Sequence, residues 1–308
     1  MATTNDQYWQ SRLAAERKWQ EQNLADDDAF NKQMQAYFDK ATRQINLEIN
    51  SELSSYAAYS KQSMPAARGD VLSEDVAAYQ ARAKEIVKDA GELYNKLKRP
   101  LTKADFTKEV NDRLRLYNAT MRINRLELLK SRLGLEAMDA HLHVTADLAD
   151  KLGGDYLDEI TRQAGILGES VMPTGQADLL KIVMKRTGDY TFSQRIWTNQ
   201  DILKAKLDDL ITQATIMGQN PRKIALQLRG QVADAVNDQR YVTERIARTE
   251  SARVQFEAQM NSFDKYGYDY VKWIAEPSAC THCQDIAHEG KDNDGVYKTS
   301  DVPSIPAH

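Results

Sequence analysis

Glycine and proline are scarce, 14 and 7 in 308 residues, about 7% together where roughly 12% is average. All-β sandwiches and barrels turn every few residues and need far more of both, so that class is excluded. No run approaches the roughly 18 apolar residues that span a bilayer, and the polar stretch from Met1 to Trp19 predicts no secretory signal. Two cysteines cannot form a disulfide framework. The net charge of -4 argues against a bulk nucleic-acid binder, although it permits a local basic patch. No phosphate-binding Walker loop, dinucleotide glycine pattern, nucleophile elbow or His-Glu-x-x-His occurs, so positive signs of an enzyme are missing.

What is present is helical. The first proline is Pro65 and the first glycine Gly69. From Met34 the apolar positions Tyr37, Phe38, Ala41, Ile45, Ile49, Leu53 and Tyr56 advance mostly by threes and fours, the period of an amphipathic helix. Such a stripe must be covered, either by a helix later in the chain, as in a bundle, or by a partner, for which Ile45 and Ile49 are candidate exposed contacts. The acids Asp26, Asp27 and Asp28 predict a cap for a helical stretch over about residues 29–60.

A turn around Pro65 precedes a helix from Ser73, its predicted N-cap, to about Lys98, ended by Arg99-Pro100. A Leu-rich helix then runs from Thr102 and Asp105, a candidate capping pair, to about Leu133 or beyond. Gly153-Gly154 predicts a firm break. Helices are expected at about 155–167, 176–187, 199–217, 221–229 and 232–265, with Gly218 ending the third of these and Gly267 the last. Residues 268–274 alternate as a strand, and the tail beyond Glu276 reads as loop. The expected fold class is mainly α, with long N-terminal helices and a C-terminal α module carrying a small β element and a cysteine loop. The expected division is 1–152, a connecting region 153–189, and 190–308.

Three features can carry chemistry. Between Lys96 and Arg132 lie eleven basic and four acidic residues, a local +7. Arg113, Arg122, Arg125 and Arg132 are candidate phosphate contacts; the competing reading is a face neutralised by acids elsewhere. In Glu244-Arg245-Ile246-Ala247-Arg248-Thr249-Glu250-Ser251 with Arg253, the Arg, Thr and Glu side chains can bind an anion, organise a buried network or form a salt-bridged surface. Cys280-Thr281-His282-Cys283 offers two corners of a zinc tetrahedron, with His282, His288 and His308 as further candidates. Free thiols and a redox dithiol remain open, although the dithiol motif normally starts a helix after a strand and here follows Pro277 in a predicted loop. His141 and His143, two apart, face different sides of a helix and read as ordinary histidines.

The C-terminal order is specific in combination. Gly218-Gln-Asn-Pro-Arg-Lys-Ile-Ala precedes Arg245-Ile-Ala-Arg248-Thr249-Glu250; Gly267, Trp273, Cys280-x-x-Cys283, Gly290 and Val302-Pro303-Ser-Ile-Pro306-Ala-His308 follow. Over about residues 190–308 this resembles the phage head morphogenesis family, minor capsid proteins similar to protein F of phage Mu. The resemblance implies a non-enzymatic virion protein, present in few copies in the head near the portal vertex and in the host cytoplasm during assembly. Its implied partners are the portal protein, the major capsid or scaffold protein, and packaged DNA, with no membrane; its implied roles are head assembly and genome packaging or ejection. The family pattern continues past His308 to paired cysteines that would complete a zinc site with Cys280 and Cys283. The alternatives are a DNA-binding helical protein and the carrier module of a toxin-type enzyme. Trp273 is expected to be buried in the module's core.

Overall fold

The computed structural model describes residues 4–59, 72–97, 103–121, 124–171, 173–216, 221–275 and 279–305. Among them are eight α-helices and one two-stranded sheet, a mainly α fold. The helices are α1 (Thr4–Tyr59), α2 (Ser73–Lys96), α3 (Lys103–Thr120), α4 (Arg125–Leu167), α5 (Gln176–Val183), α6 (Phe192–Ile216), α7 (Pro221–Tyr266) and α8 (Thr281–His288). The strands β1 (Tyr270–Lys272) and β2 (Val296–Lys298) pair antiparallel, Val271 opposite Tyr297. No described helix is long and apolar enough to cross a membrane.

The chain forms two compact units, and neither follows the linear division expected above. One comprises Gln33–Gly153 and Gln176–Ala247, the other Met1–Lys32, Gly154–Gly175 and Arg248–His308.

In the first unit the α1 stripe does what its period requires. Met34, Phe38, Ala41, Ile45 and Ile49 are all buried, each large member contributing about 1.5–3 kcal/mol. Ile45 and Ile49 therefore belong to this unit's own core, which corrects their reading as an exposed partner surface. From Leu133 to Ala149, α4 is buried on all sides except at the half-buried His143 and Asp147. A helix enclosed this way is a core helix, and its polar residues need partners inside the protein. Lys40 donates to Asp139 at 2.9 Å, and Arg82 clasps Glu136 with two bonds of 2.8 Å. The His141 Nδ1 faces the Ala137 carbonyl at 2.7 Å, and the His141 ring meets Phe38 edge-on. Burial is the main reason that His141 is pushed down to about 4; the Ala137 hydrogen bond opposes it, and Arg113 adds to it.

Several boundaries differ from expectation, for local reasons. The stretch expected to start after Asp26-Asp27-Asp28 is part of one helix, α1. Ser73 is the first residue of α2, and the cap position is Leu72. The Leu-rich helix is divided: α3 ends at Thr120 and α4 starts anew, where the Asn124 side chain accepts the Glu127 amide at 3.0 Å. α6 begins seven residues early because Thr191 and Gln194 form a reciprocal capping box with bonds of 3.0 and 3.2 Å. Gly153-Gly154 does not break α4, and α7 is unbroken. Gly267 ends α7 as expected. The expected turn at Pro65, the Arg99-Pro100 stop, Thr102 and Gly218 lie outside the described residues.

Gly134, inside α4, is a point of close contact. A Cβ there would lie 2.8 Å from the Tyr117 ring and 2.6 Å from Lys204 Cε. Lys204 can swing away, but Tyr117 is 5% exposed and held by Gln200 on its hydroxyl at 3.1 Å. Gly134→Val should therefore lower stability by about 1–3 kcal/mol through overpacking. An unchanged urea midpoint would show that α3 yields freely.

Candidate functional site

In the second unit, α7 carries the Arg-Thr-Glu segment, and Gly267 then turns the chain into β1. The β1–β2 pair is closed by a tight return. The Trp273 amide donates to the Gly295 carbonyl at 2.7 Å, and the Gly295 amide donates to Glu289 at 2.7 Å. Gly295 has a φ of +66°, and a Cβ would fall 2.5 Å from the Ala287 carbonyl oxygen; only glycine satisfies both conditions.

This scaffold lines an open groove of about 720 Å³ within the unit. Its wall is aromatic: Tyr8, Trp19, Phe256, Phe263, Trp273 and Tyr297. Trp273 is half-buried and lies 6.5 Å, centroid to centroid, from Phe256. That corrects the expectation of a core tryptophan: Trp273 directly follows β1 and faces the open groove. Arg162 lies 5.0 Å over the Trp19 ring and bonds Glu159 at 2.7 and 2.8 Å and Glu16 at 2.8 and 3.0 Å. Glu159 is fully buried, yet it is satisfied by Arg162 and by the Gln163 and Gln259 amides at 2.7 and 2.8 Å. A fixed polar floor beneath an aromatic wall suits an interface, where a desolvated apolar centre is rimmed by charge.

The Arg-Thr-Glu residues divide by role. Arg245 lies in the first unit, exposed, 5.9 Å over the Tyr241 ring. Arg248 is an exposed lining residue of the groove and pairs with Asp28 at 3.0 Å. Thr249 is half-buried. Glu250 is fully buried and accepts from Arg253 Nε at 2.6 Å, with Arg253 only 5% exposed. Thus the segment supplies a rim cation and an internal ion pair from successive faces of one helix.

The cysteines do not sit in a loop. Cys280 is the N-cap of α8 and Cys283 lies in its first turn, the helix-start setting after a strand that suits a dithiol. The Cys283 amide and thiol hold the exposed Cys280 thiol below its ordinary range. Burial, then the Cys280 neighbour, pushes Cys283 up. The pair fits two corners of a zinc site, and no third donor joins it among the described residues. His308 lies outside the described residues.

The basic stripe is largely used internally. Arg113 bonds Asp201 at 2.7 and 2.9 Å, Glu109 at 2.6 Å and Gln200 at 2.7 Å, and stacks 4.6 Å over Trp197. Arg125 clasps the buried Glu52 at 2.6 and 3.1 Å, and Arg132 reaches Glu48 at 3.3 Å and Asp75 at 3.2 Å. Their side chains are only 12%, 16% and 15% exposed. At these three positions the phosphate-facing reading gives way to intramolecular neutralisation. Arg122 lies outside the described residues.

No family model, curated protein or solved structure matches this chain.

Proposed function

We propose that this chain is a minor head protein of a bacteriophage, acting structurally in head assembly and held to the portal protein through the aromatic groove of its second unit. The observation that carries the reading is the convergence of Arg248 and Trp273 on one groove. Both belong to the segments that resemble the head morphogenesis family. A tryptophan half-covered by its own chain is the type of side chain that anchors an interface. The reading places the protein in the virion head near the portal vertex, with major capsid or scaffold protein and packaged DNA as further neighbours. Zinc, in this reading, is held by Cys280 and Cys283 with donors outside the described residues, and would fix α8 against the strand pair.

Co-sedimentation with purified portal rings tests the proposal. The intact protein should pellet with the rings. Trp273→Ala should weaken binding by about 2 kcal/mol, roughly 30-fold, as expected for a central aromatic anchor. Thermal unfolding of the variant separates lost contact from lost fold. If the intact protein stays in the supernatant, or if Trp273→Ala and Phe256→Ser both bind as well as the parent, the groove is not the portal anchor.

A further inference from the structure

Three helices of the first unit meet along a polar seam. α1 contributes Gln33, Tyr37 and Lys40; α2 contributes Arg82, Glu85 and Asp89; α4 contributes Glu136, Asp139, His143 and Asp147. The spacings of three, four and seven put each set on one helix face. The bonds already described cross it, joined by Arg82 to Asp139 at 3.0 Å and by Gln33 and Tyr37 to Asp147 at 2.7 and 2.6 Å. Five carboxylates of the seam face two cations, an excess of negative charge where Asp139 is only 3% exposed.

At its centre, one ligand atom each from Asp89, Asp139 and His143 lie within 4.8 Å of one another. Asp139 and His143 are four apart on α4, so both point to the same side, and Asp89 reaches in from α2. The Asp139 carboxylate is divided in use. Oδ2 takes Lys40 and Arg82, while Oδ1 is buried and accepts no hydrogen bond. The His143 Nε2 stands 3.7 Å from that Oδ1, too long for a hydrogen bond. The His143 ring is held by stacking on Tyr37, centroids 5.0 Å apart at 15°. A buried carboxylate oxygen without a donor is costly unless a cation satisfies it.

We propose that Asp89, Asp139 and His143 form a binding site for a divalent first-row transition-metal ion, with zinc the best fit. One imidazole nitrogen and two carboxylate oxygens are a donor set such ions accept, and water would complete the shell. Lys40 and Arg82 orient Asp139 from behind, as outer-shell partners of metal ligands do. The site is independent of the portal reading and of the cysteine pair.

The test uses the full chain carrying Cys280→Ser and Cys283→Ser, so that thiolates take no metal. Equilibrium dialysis against zinc chloride, and cobalt absorption with its thiolate band absent, should each give one equivalent. His143→Phe keeps the ring on Tyr37 and removes both nitrogens; Asp89→Asn keeps shape and removes a charge. Each should weaken binding about tenfold or more, with circular dichroism and unfolding midpoint unchanged in the absence of metal. Failure of the cysteine-free chain to bind zinc overturns the site, and so does binding that neither variant weakens.

Discussion

Glu250→Ala is expected to lower stability by about 3–5 kcal/mol, the cost of breaking a buried ion pair by removing one partner. Arg253 is 5% exposed and Glu250 fully buried, their contact 2.6 Å. Removing the carboxylate takes a 2.6 Å charge-assisted contact from a guanidinium that is itself buried. The pair itself is not the source of a large net gain, since ion desolvation offsets most of the attraction. The double variant Glu250→Leu with Arg253→Met should therefore recover most of the loss. Urea unfolding of Glu250→Ala and of the double variant measures both terms. A single variant that loses less than about 1 kcal/mol would mean that Arg253 finds water or another acceptor, and that the Arg-Thr-Glu segment is tolerant at its buried end.

That result bears on how the segment reads as sequence. Its i, i+3 and i, i+4 pairs are visible, yet nothing in the string says which pair is buried. The α1 stripe is different: its period alone identifies Met34, Phe38, Ala41, Ile45 and Ile49 as one covered face. What covers them is non-local, and so the assignment of Ile45 and Ile49 to a partner had no basis in the period itself. Gly153-Gly154 fails as a break for a similar reason. Each glycine costs a helix about 1 kcal/mol, while the neighbours Leu152, Tyr156 and Ile160, all buried, contribute more than that. The start of α6 was readable, because Thr191 and Gln194 spell a capping box. The basic stripe misleads in the opposite way. Its neutralising acids, Glu48, Glu52 and Asp75, lie about 50 to 85 residues away in the chain. A window that counts charge along the sequence sees the arginines and not their partners. The metal proposal shares this limit: the Asp139–His143 spacing is a legible helix signal, but Asp89, fifty residues earlier, enters only through the fold.

The second large effect is one of pH, and His141 should produce it. The folded protein holds this histidine near 4, mainly by burial, whereas an unfolded chain leaves it near about 6.5. Above that unfolded value the ring is neutral in both states and no stability is at stake. As pH falls below it, the unfolded chain takes up the proton first, so unfolding is favoured. The slope is about 1.4 kcal/mol per pH unit, and the cumulative loss reaches roughly 3 kcal/mol near pH 4. Other groups titrate in the same range, and Glu48, raised chiefly by burial, shifts stability in the opposite sense. The difference between the parent and His141→Leu isolates the histidine. The leucine fills the site beside Phe38 and removes an Nε2 that is buried without a hydrogen-bond partner, so the variant should fold. Its urea midpoint should match or exceed the parent's at pH 7, and the gap should widen steadily between pH 6.5 and pH 4.5. Parallel curves across that interval would show that His141 takes up its proton without opening the α1–α4 core, and that the core is wetter than its burial indicates.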